Sequence, residues 1–146
     1  MTSPDPVTVT LPKALLQSFE AAAAAAHPKE ACGLLVGWWE PDVVHVTEIH
    51  YSPNRAEDPT QGFEIDVGLQ AHLQRSLRGT DSMLVGVWHS HPSGDAKPSE
   101  VDSLAAHDPD FVWIITAAVE GDAVTTVQLA PAEAGDAFRP VAVRYL

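Results

Sequence analysis

The stretch Val87-Trp88-His89-Ser90-His91-Pro92, followed by Ser93 to Lys97 and then Pro98-Ser99-Glu100-Val101-Asp102, brings two imidazoles, a hydroxyl and a carboxylate together in the chain. Side chains two apart on an extended backbone point to the same side. If a strand ends at about His89, both imidazoles can face one point at the sheet's edge. Imidazole suits Zn²⁺ at about 2.0–2.1 Å, and a catalytic zinc site needs a third protein ligand and an open position for water. Asp102 can be that third ligand. Pro98 stops any helix upstream, Ser99 can cap the next one, and Asp102 then stands third on its first turn. Pro92 and Gly94 let the intervening loop fold back toward the strand end. With two neutral imidazoles and one carboxylate, a divalent ion keeps a net positive charge that lowers the pKa of a bound water. The same residues have a plainer reading. Ser-x-x-Asp is also an ordinary helix N-cap with an acid on the first turn, which the helix dipole favours.

Hydrolysis also needs a base. Glu30, in His27-Pro28-Lys29-Glu30-Ala31-Cys32-Gly33-Leu34-Leu35-Val36-Gly37, lies between a helix-stopping proline and an apolar run. An acid partly desolvated beside such a run has a raised pKa and is a better base. The alternative is an exposed acid at a strand entrance. His27, His45, His50, His72 and His107 have no ligand spacing and read as surface or satisfied residues. Cys32 lies in the apolar run and reads as a small core residue. Trp38, Trp39, Trp88 and Trp113 fall in or beside expected strands and read as mainly core, with Trp88 on the face opposite His89.

The elements that must position these residues follow from periodicity. Val7 to Leu11 alternates and reads as a strand. Lys13 to Ala26 is rich in helix formers and has Pro12 at its start, which suits a first helical position. Cys32 to Trp39 reads as a buried strand, paired through the turn at residues 40–42 with the alternating Val43 to Tyr51. Ser52 to Gly62 is a loop by composition. Phe63 to Val67 can hold a short strand. Val67 to Arg78 reads as a helix with Asp66 as its N-cap and Gly79 past its end. Met83 to His89 is the third apolar strand, and Ser99 to His107 a short helix. Phe111 to Val119 does not alternate and reads as a strand buried on both faces. Gly121-Asp122 turns the chain into Ala123 to Leu129. Phe138 to Leu146 reads as a last strand. Intermixed strands and helices argue for an α+β fold, or an α/β-type sandwich, in which one mixed sheet carries flanking helices. Residues 1–146 read as a single domain.

His89-Ser90-His91-Pro92, five residues, then Pro98-Ser99-Glu100-Val101-Asp102 resembles the signature of the JAMM/MPN+ metalloprotease superfamily at every specified position. Glu30-Ala31-Cys32-Gly33-Leu34-Leu35-Val36-Gly37 is similar to the segment that carries the family's catalytic glutamate. Pro53-Asn54-Arg55-Ala56, Asp58-Pro59 and Phe63-Glu64-Ile65-Asp66 resemble stand-alone prokaryotic members. The resemblance spans about Pro12 to Ala130. It implies a mostly antiparallel mixed sheet of cytidine-deaminase-like architecture. It implies one Zn²⁺ per chain, held by His89, His91 and Asp102 with water as the fourth ligand. Glu30 would be general base and then acid to the leaving amine, and Ser99 a donor to the oxyanion or to the bound water. The implied substrate is the C-terminal tail of a ubiquitin-like or sulfur-carrier protein, cleaved by a peptidase or isopeptidase. Such a tail can dock by adding a strand beside the site, with Ser52 to Gly62 as one wall of the groove. A non-catalytic scaffold of the same fold and a hydrolase of small amides are the alternatives.

The chain has 146 residues, with 20 acidic and 8 basic side chains, a net charge of −12. That surface repels phosphate backbones and anionic lipid, so neither nucleic acid nor membrane is expected as a partner. The oligomeric state is open. One cysteine excludes an intrachain disulfide and agrees with the cytoplasm. The first ten residues lack the basic and apolar regions of a signal peptide. The longest apolar run, Phe111 to Val119, is far short of the about 20 residues of a spanning helix. Excess acid is a solubilising coat, and it also suits high salt, where counterions screen self-repulsion. Lysine occurs only at Lys13, Lys29 and Lys97. Salt adaptation predicts a melting temperature that rises strongly between low and molar salt; a flat response in a thermal shift series removes it.

Overall fold

The fold is described from a computed structural model, which describes residues 7–119 and 122–146. Eleven elements follow in order: β1 (Thr8–Leu11), α1 (Lys13–Ala26), β2 (Cys32–Glu40), β3 (Val43–Ser52), α2 (Val67–Ser76), β4 (Met83–His91), α3 (Glu100–Ala105), β5 (Val112–Val119), β6 (Asp122–Leu129), β7 (Arg139–Pro140) and β8 (Ala142–Tyr145). The strands form one sheet in the order β7-β6-β5-β4-β2-β3-β1-β8. Neighbours β2–β3, β2–β4, β5–β6 and β6–β7 are antiparallel. Neighbours β1–β3, β1–β8 and β4–β5 are parallel. The sheet is therefore mixed and mostly antiparallel, as the sequence implies.

β7 and β8 lie at opposite ends of the strand order, yet only Val141 separates them in the chain. Consecutive Cα atoms are about 3.8 Å apart, so one residue cannot cross an open sheet. The sheet must curl until its two ends meet at Val141.

Alternation along the central strands divides the core into two faces. Leu35, Trp88 and Ile114 pack with Val9, Leu11, Phe19 and Ala23 on the α1 face. Their neighbours Leu34, Val87 and Trp113 pack with Leu73 of α2 on the other. Phe19 stacks on Trp88 at a centroid distance of 5.2 Å. Such a pair contributes about 0.5–1.5 kcal/mol beyond burial. This alternation fixes the site, because it turns His89 to the α2 face while Trp88 anchors the strand to α1. Among the described residues no helix is long and apolar enough to cross a membrane.

Several local expectations are corrected. Pro12 is the N-cap of α1 rather than its first residue. Phe63 to Val67 forms no strand, only an isolated bridge between Asn54 and Ile65. α2 ends at Ser76, though Asp66 caps it and Gly79 has the positive φ of +76° expected past its end. β4 runs two residues beyond His89. The last strand is split in two, because its residues pair with opposite ends of the sheet. Trp38 is exposed and stacks on His45. The turn at Gly121-Asp122 falls, at Gly121, outside the described residues.

Gly86 lies opposite Val112 in the parallel pairing of β4 and β5. A Cβ there would overlap the backbone carbonyl of Val112, which cannot yield without breaking the ladder. Gly86→Ala is expected to cost about 1–3 kcal/mol in urea unfolding at unchanged slope. Gly62→Ala, whose Cβ would meet nothing within 4 Å, stays within about 0.5 kcal/mol.

Candidate functional site

Strand pairing assembles the site from distant residues. In the antiparallel register of β2 and β4, Cys32 lies opposite His89. Just beyond, the Ser90 N–H donates to the Ala31 carbonyl at 3.0 Å, and the Ala31 N–H donates to Ser90 Oγ at 2.8 Å. These bonds hold Glu30, the next residue, beside the histidines. β4 continues to His91 through parallel pairing with β5, where His91 lies opposite Ala117. Both histidines are therefore strand residues on one face, which is stricter than a strand end and a loop.

α3 supplies the carboxylate. Ser99 is its N-cap in a full capping box: Ser99 Oγ accepts from the Asp102 N–H at 3.1 Å, and the Ser99 N–H donates to Asp102 Oδ2 at 2.9 Å. The plain N-cap reading is thus realised, and it does not exclude the other. The capping box pins the Asp102 carboxylate while its oxygens face the imidazoles. Asp102 Oδ1 lies 3.2 Å from His89 Nε2, and Oδ2 lies 3.1 Å from His91 Nε2. The two Nε2 atoms are 3.1 Å apart.

Two overlapping triads share the histidines. Ligand atoms of Glu30, His89 and His91 lie within 4.8 Å of one another. Asp102 sets a different oxygen beside each ring, Oδ1 3.2 Å from His89 Nε2 and Oδ2 3.1 Å from His91 Nε2, with the two Nε2 atoms 3.1 Å apart. A tetrahedral zinc with bonds of about 2.0–2.2 Å has ligand–ligand edges of about 3.3–3.6 Å, and the His89–His91 distance and each histidine–Asp102 distance come near that value. Glu30 Oε1 stands further out, 3.9 Å from His89 Nε2. The donor chemistry agrees. His91 Nδ1 donates to the Asp95 carbonyl at 2.7 Å. In the neutral ring Nε2 then carries only a lone pair. Its approach to Asp102 calls for positive charge between them, from a proton or a cation.

Burial sets the electrostatics. Glu30 is 7% exposed and His89 fully buried. Burial, with Asp102 nearby, pushes the Glu30 carboxyl up to about 7, against a lowering by His91. Its Oε1 has no hydrogen-bond partner among the described residues. Burial lowers His89 despite Asp102. Burial also works against the charged form of His91, but the Asp102 and Asp95 hydrogen bonds outweigh it and raise the ring. Asp102 behaves likewise: burial raises it, yet the bonds from both imidazoles and the Ser99 N–H take it well below the carboxylate range. Cys32 is buried, and burial first pushes its thiol up to about 11, so it is a core residue and no nucleophile.

The loop after β3 contributes residues that spacing alone does not reveal. Asn54 uses all four of its hydrogen-bonding positions. Its Nδ2 donates to the Glu30 and Gly62 carbonyls at 2.9 and 3.0 Å, and its Oδ1 accepts from the Ala56 and Glu64 N–H groups, both at 3.0 Å. At the end of the loop, Phe63 stacks on His89 at 4.3 Å and 21°, and Trp113 presents its edge at 5.6 Å. The resemblance of Pro53-Asn54-Arg55-Ala56 and Phe63-Glu64-Ile65-Asp66 to prokaryotic members marks Asn54 and Phe63, but it says nothing of what either side chain touches. A cleft of about 530 Å³ between the end of α1 and this loop is lined by Lys29, Glu30, Ala31, Ser52, Asn54 and Pro59. A larger cleft of about 590 Å³, between α2 and the residues after α3, holds none of the expected site residues. His27, His72 and His107 are exposed, while His45 and His50 bond to Glu40 and Glu48.

A mixed sheet with helices on both faces, carrying two strand histidines and a capped aspartate, defines the class. Residues 12–130 match the family described as prokaryotic homologs of the JAB domain, and the chain belongs to it. A CysO-cysteine peptidase from Mycobacterium tuberculosis is 32% identical over 101 residues, which are 69% of this chain and 67% of that protein. A desampylase from Haloferax volcanii is 33% identical over 93 residues, 64% of this chain and 66% of that one. The solution structure of a protein from Desulfitobacterium hafniense has a TM-score of 0.80 at 28% identity, covering 94% of this chain and 92% of that chain.

Asn54→Asp tests the loop's role. It would set a carboxylate against two carbonyls that now accept from the amide. Stability should fall by about 1–3 kcal/mol, with faster proteolysis within residues 52–66. Unchanged stability and cleavage would remove Asn54 as the loop's anchor.

Proposed function

We propose that the protein is a zinc-dependent metallopeptidase or isopeptidase that hydrolyses the amide bond at the C-terminal tail of a ubiquitin-like or sulfur-carrier protein. The observation that carries this reading is the meeting of the His89 and His91 Nε2 atoms, 3.1 Å apart, with an Asp102 oxygen within 3.2 Å of each, beside a buried Glu30 pushed up to about 7. The similarity to proteins named CysO-cysteine peptidase and desampylase supports the substrate class.

His89, His91 and Asp102 would hold Zn²⁺, which would polarise the scissile carbonyl and make a water nucleophilic near neutral pH. Glu30 Oε1 takes the proton that this water gives up, and its raised pKa suits a base that must also return the proton. Glu30 then passes that proton to the amine nitrogen as the C–N bond breaks. The Ser99 hydroxyl accepts from the Asp102 N–H and keeps its own hydrogen to donate to the oxygen that gains charge on the carbonyl. One such donor is worth roughly 10²–10³ in rate. The cleft bounded by Lys29, Ser52, Asn54 and Pro59 opens beside Glu30 and suits the groove for an extended tail.

The test combines metal content with turnover. Purified protein should carry about one zinc per chain, and a chelator should abolish cleavage. Candidate carriers with tail extensions are incubated with the protein and read by intact mass. Glu30→Gln should keep the metal and lose cleavage by about 10²–10⁴; His89→Ala should lose the metal. Carriers bound but never cleaved point to a scaffold, and a metal-free preparation that cleaves sinks the mechanism.

A further inference from the structure

The two histidines of the site are oriented by different means. His91 donates from Nδ1 to the Asp95 carbonyl, which fixes its tautomer and aims Nε2 at Asp102. A ligating imidazole usually has such an outer partner, whose loss typically costs 10–100-fold in metal affinity. His89 has none: its Nδ1 is buried and without a hydrogen-bond partner among the described residues. Yet its Nε2 points at the same place as that of His91, 3.2 Å from Asp102 Oδ1. Aromatic rings surround it instead. Phe63 lies nearly parallel over one face at 4.3 Å, Trp113 meets it edge-on at 5.6 Å, and Phe63 and Trp113 themselves pack at 5.7 Å.

We propose that Phe63 is a positioning residue for His89, and that its stacked ring does for His89 what the Asp95 carbonyl does for His91. This rests on the reading of His89, His91 and Asp102 as metal ligands. A flat ring over an imidazole face resists rotation about χ2, the soft torsion of histidine, and leaves both nitrogens in the ring plane free. Phe63 is itself placed by the loop Ser52 to Gly62. Asn54 ties that loop at Gly62 and Glu64, on either side of Phe63, and at the Glu30 carbonyl. One loop therefore sets the orientation of a ligand and the position of the base.

Phe63 also packs against the α2-face core, so the test must separate orientation from packing. Phe63→Met keeps the apolar volume and removes the flat ring. Phe63→Trp keeps a flat ring. Zinc affinity of the full chain is read by competition with a chromophoric chelator, and the histidine ring nitrogens by ¹⁵N NMR with and without zinc. Phe63→Met should bind zinc about 10–100-fold more weakly and change the His89 ring signals while those of His91 stay. Phe63→Trp should restore both. A Phe63→Met protein with wild-type zinc affinity and unchanged His89 signals overturns the proposal. So does a loss of affinity in which both histidines change alike, since that is loosened packing. If Phe63→Met does not fold, as judged by circular dichroism, Phe63→Leu carries the same comparison. His89→Ala separates the two readings: if it keeps wild-type zinc affinity, the ligand assignment fails and the proposal with it. If it loses zinc while Phe63→Met does not, only the role of Phe63 fails.

Discussion

Backbone pairing between β2 and β4 is the constraint on which the site depends. Antiparallel neighbours lie about 4.7–4.9 Å apart, and the register sets Cys32 against His89. Two residues before Cys32 stands Glu30. The Ala31–Ser90 bonds carry the pairing past the end of β2, so the acid is held at the distance of a neighbouring strand. A shift of one residue would flip the side chains to the opposite faces. Glu30 would then leave the histidines, and Trp88 would leave Phe19. Stability and site geometry thus share one register, since the same pairing sets Leu35 of β2 and Trp88 of β4 into the core on the far face.

The site gathers groups that disfavour one another. Two carboxylates and two imidazoles meet where His89 is fully buried and Glu30 and Asp102 nearly so. Buried polar groups of this kind are tolerated when each is bonded or paired. Asp102 is satisfied by its capping box and His91 by Asp95. Glu30 Oε1 and His89 Nδ1 are not. Unpaired buried polar atoms persist where packing enforces them, and here the enforcers are the Asn54 loop and the Phe63–Trp113 pair. Burial is also what lifts Glu30 to about 7, so the arrangement that costs stability is the one that moves the acid's titration toward neutral pH.

The sequence by itself determined what depends on local order. His89 and His91 share a face because a strand repeats every two residues. Ser99 and Asp102 form a capping box because the first turn of a helix puts those positions in reach, and Asp66 caps α2 for the same reason. The alternation that sends Trp88 one way and His89 the other was legible too, as was the family from the motif's spacing. Tertiary structure alone decided the rest. Nothing local to Glu30 says that it meets His89; strand pairing does. Nothing local to Phe63 says that it lies over an imidazole; the loop held by Asn54 does. The final segment reads as one strand, yet the curled sheet divides it at Val141 between opposite ends. Periodicity is a property of the backbone's own geometry, so it can be read along the chain. Which strands pair, and which ring covers which, depends on hydrogen bonds and packing between residues that the chain order does not relate.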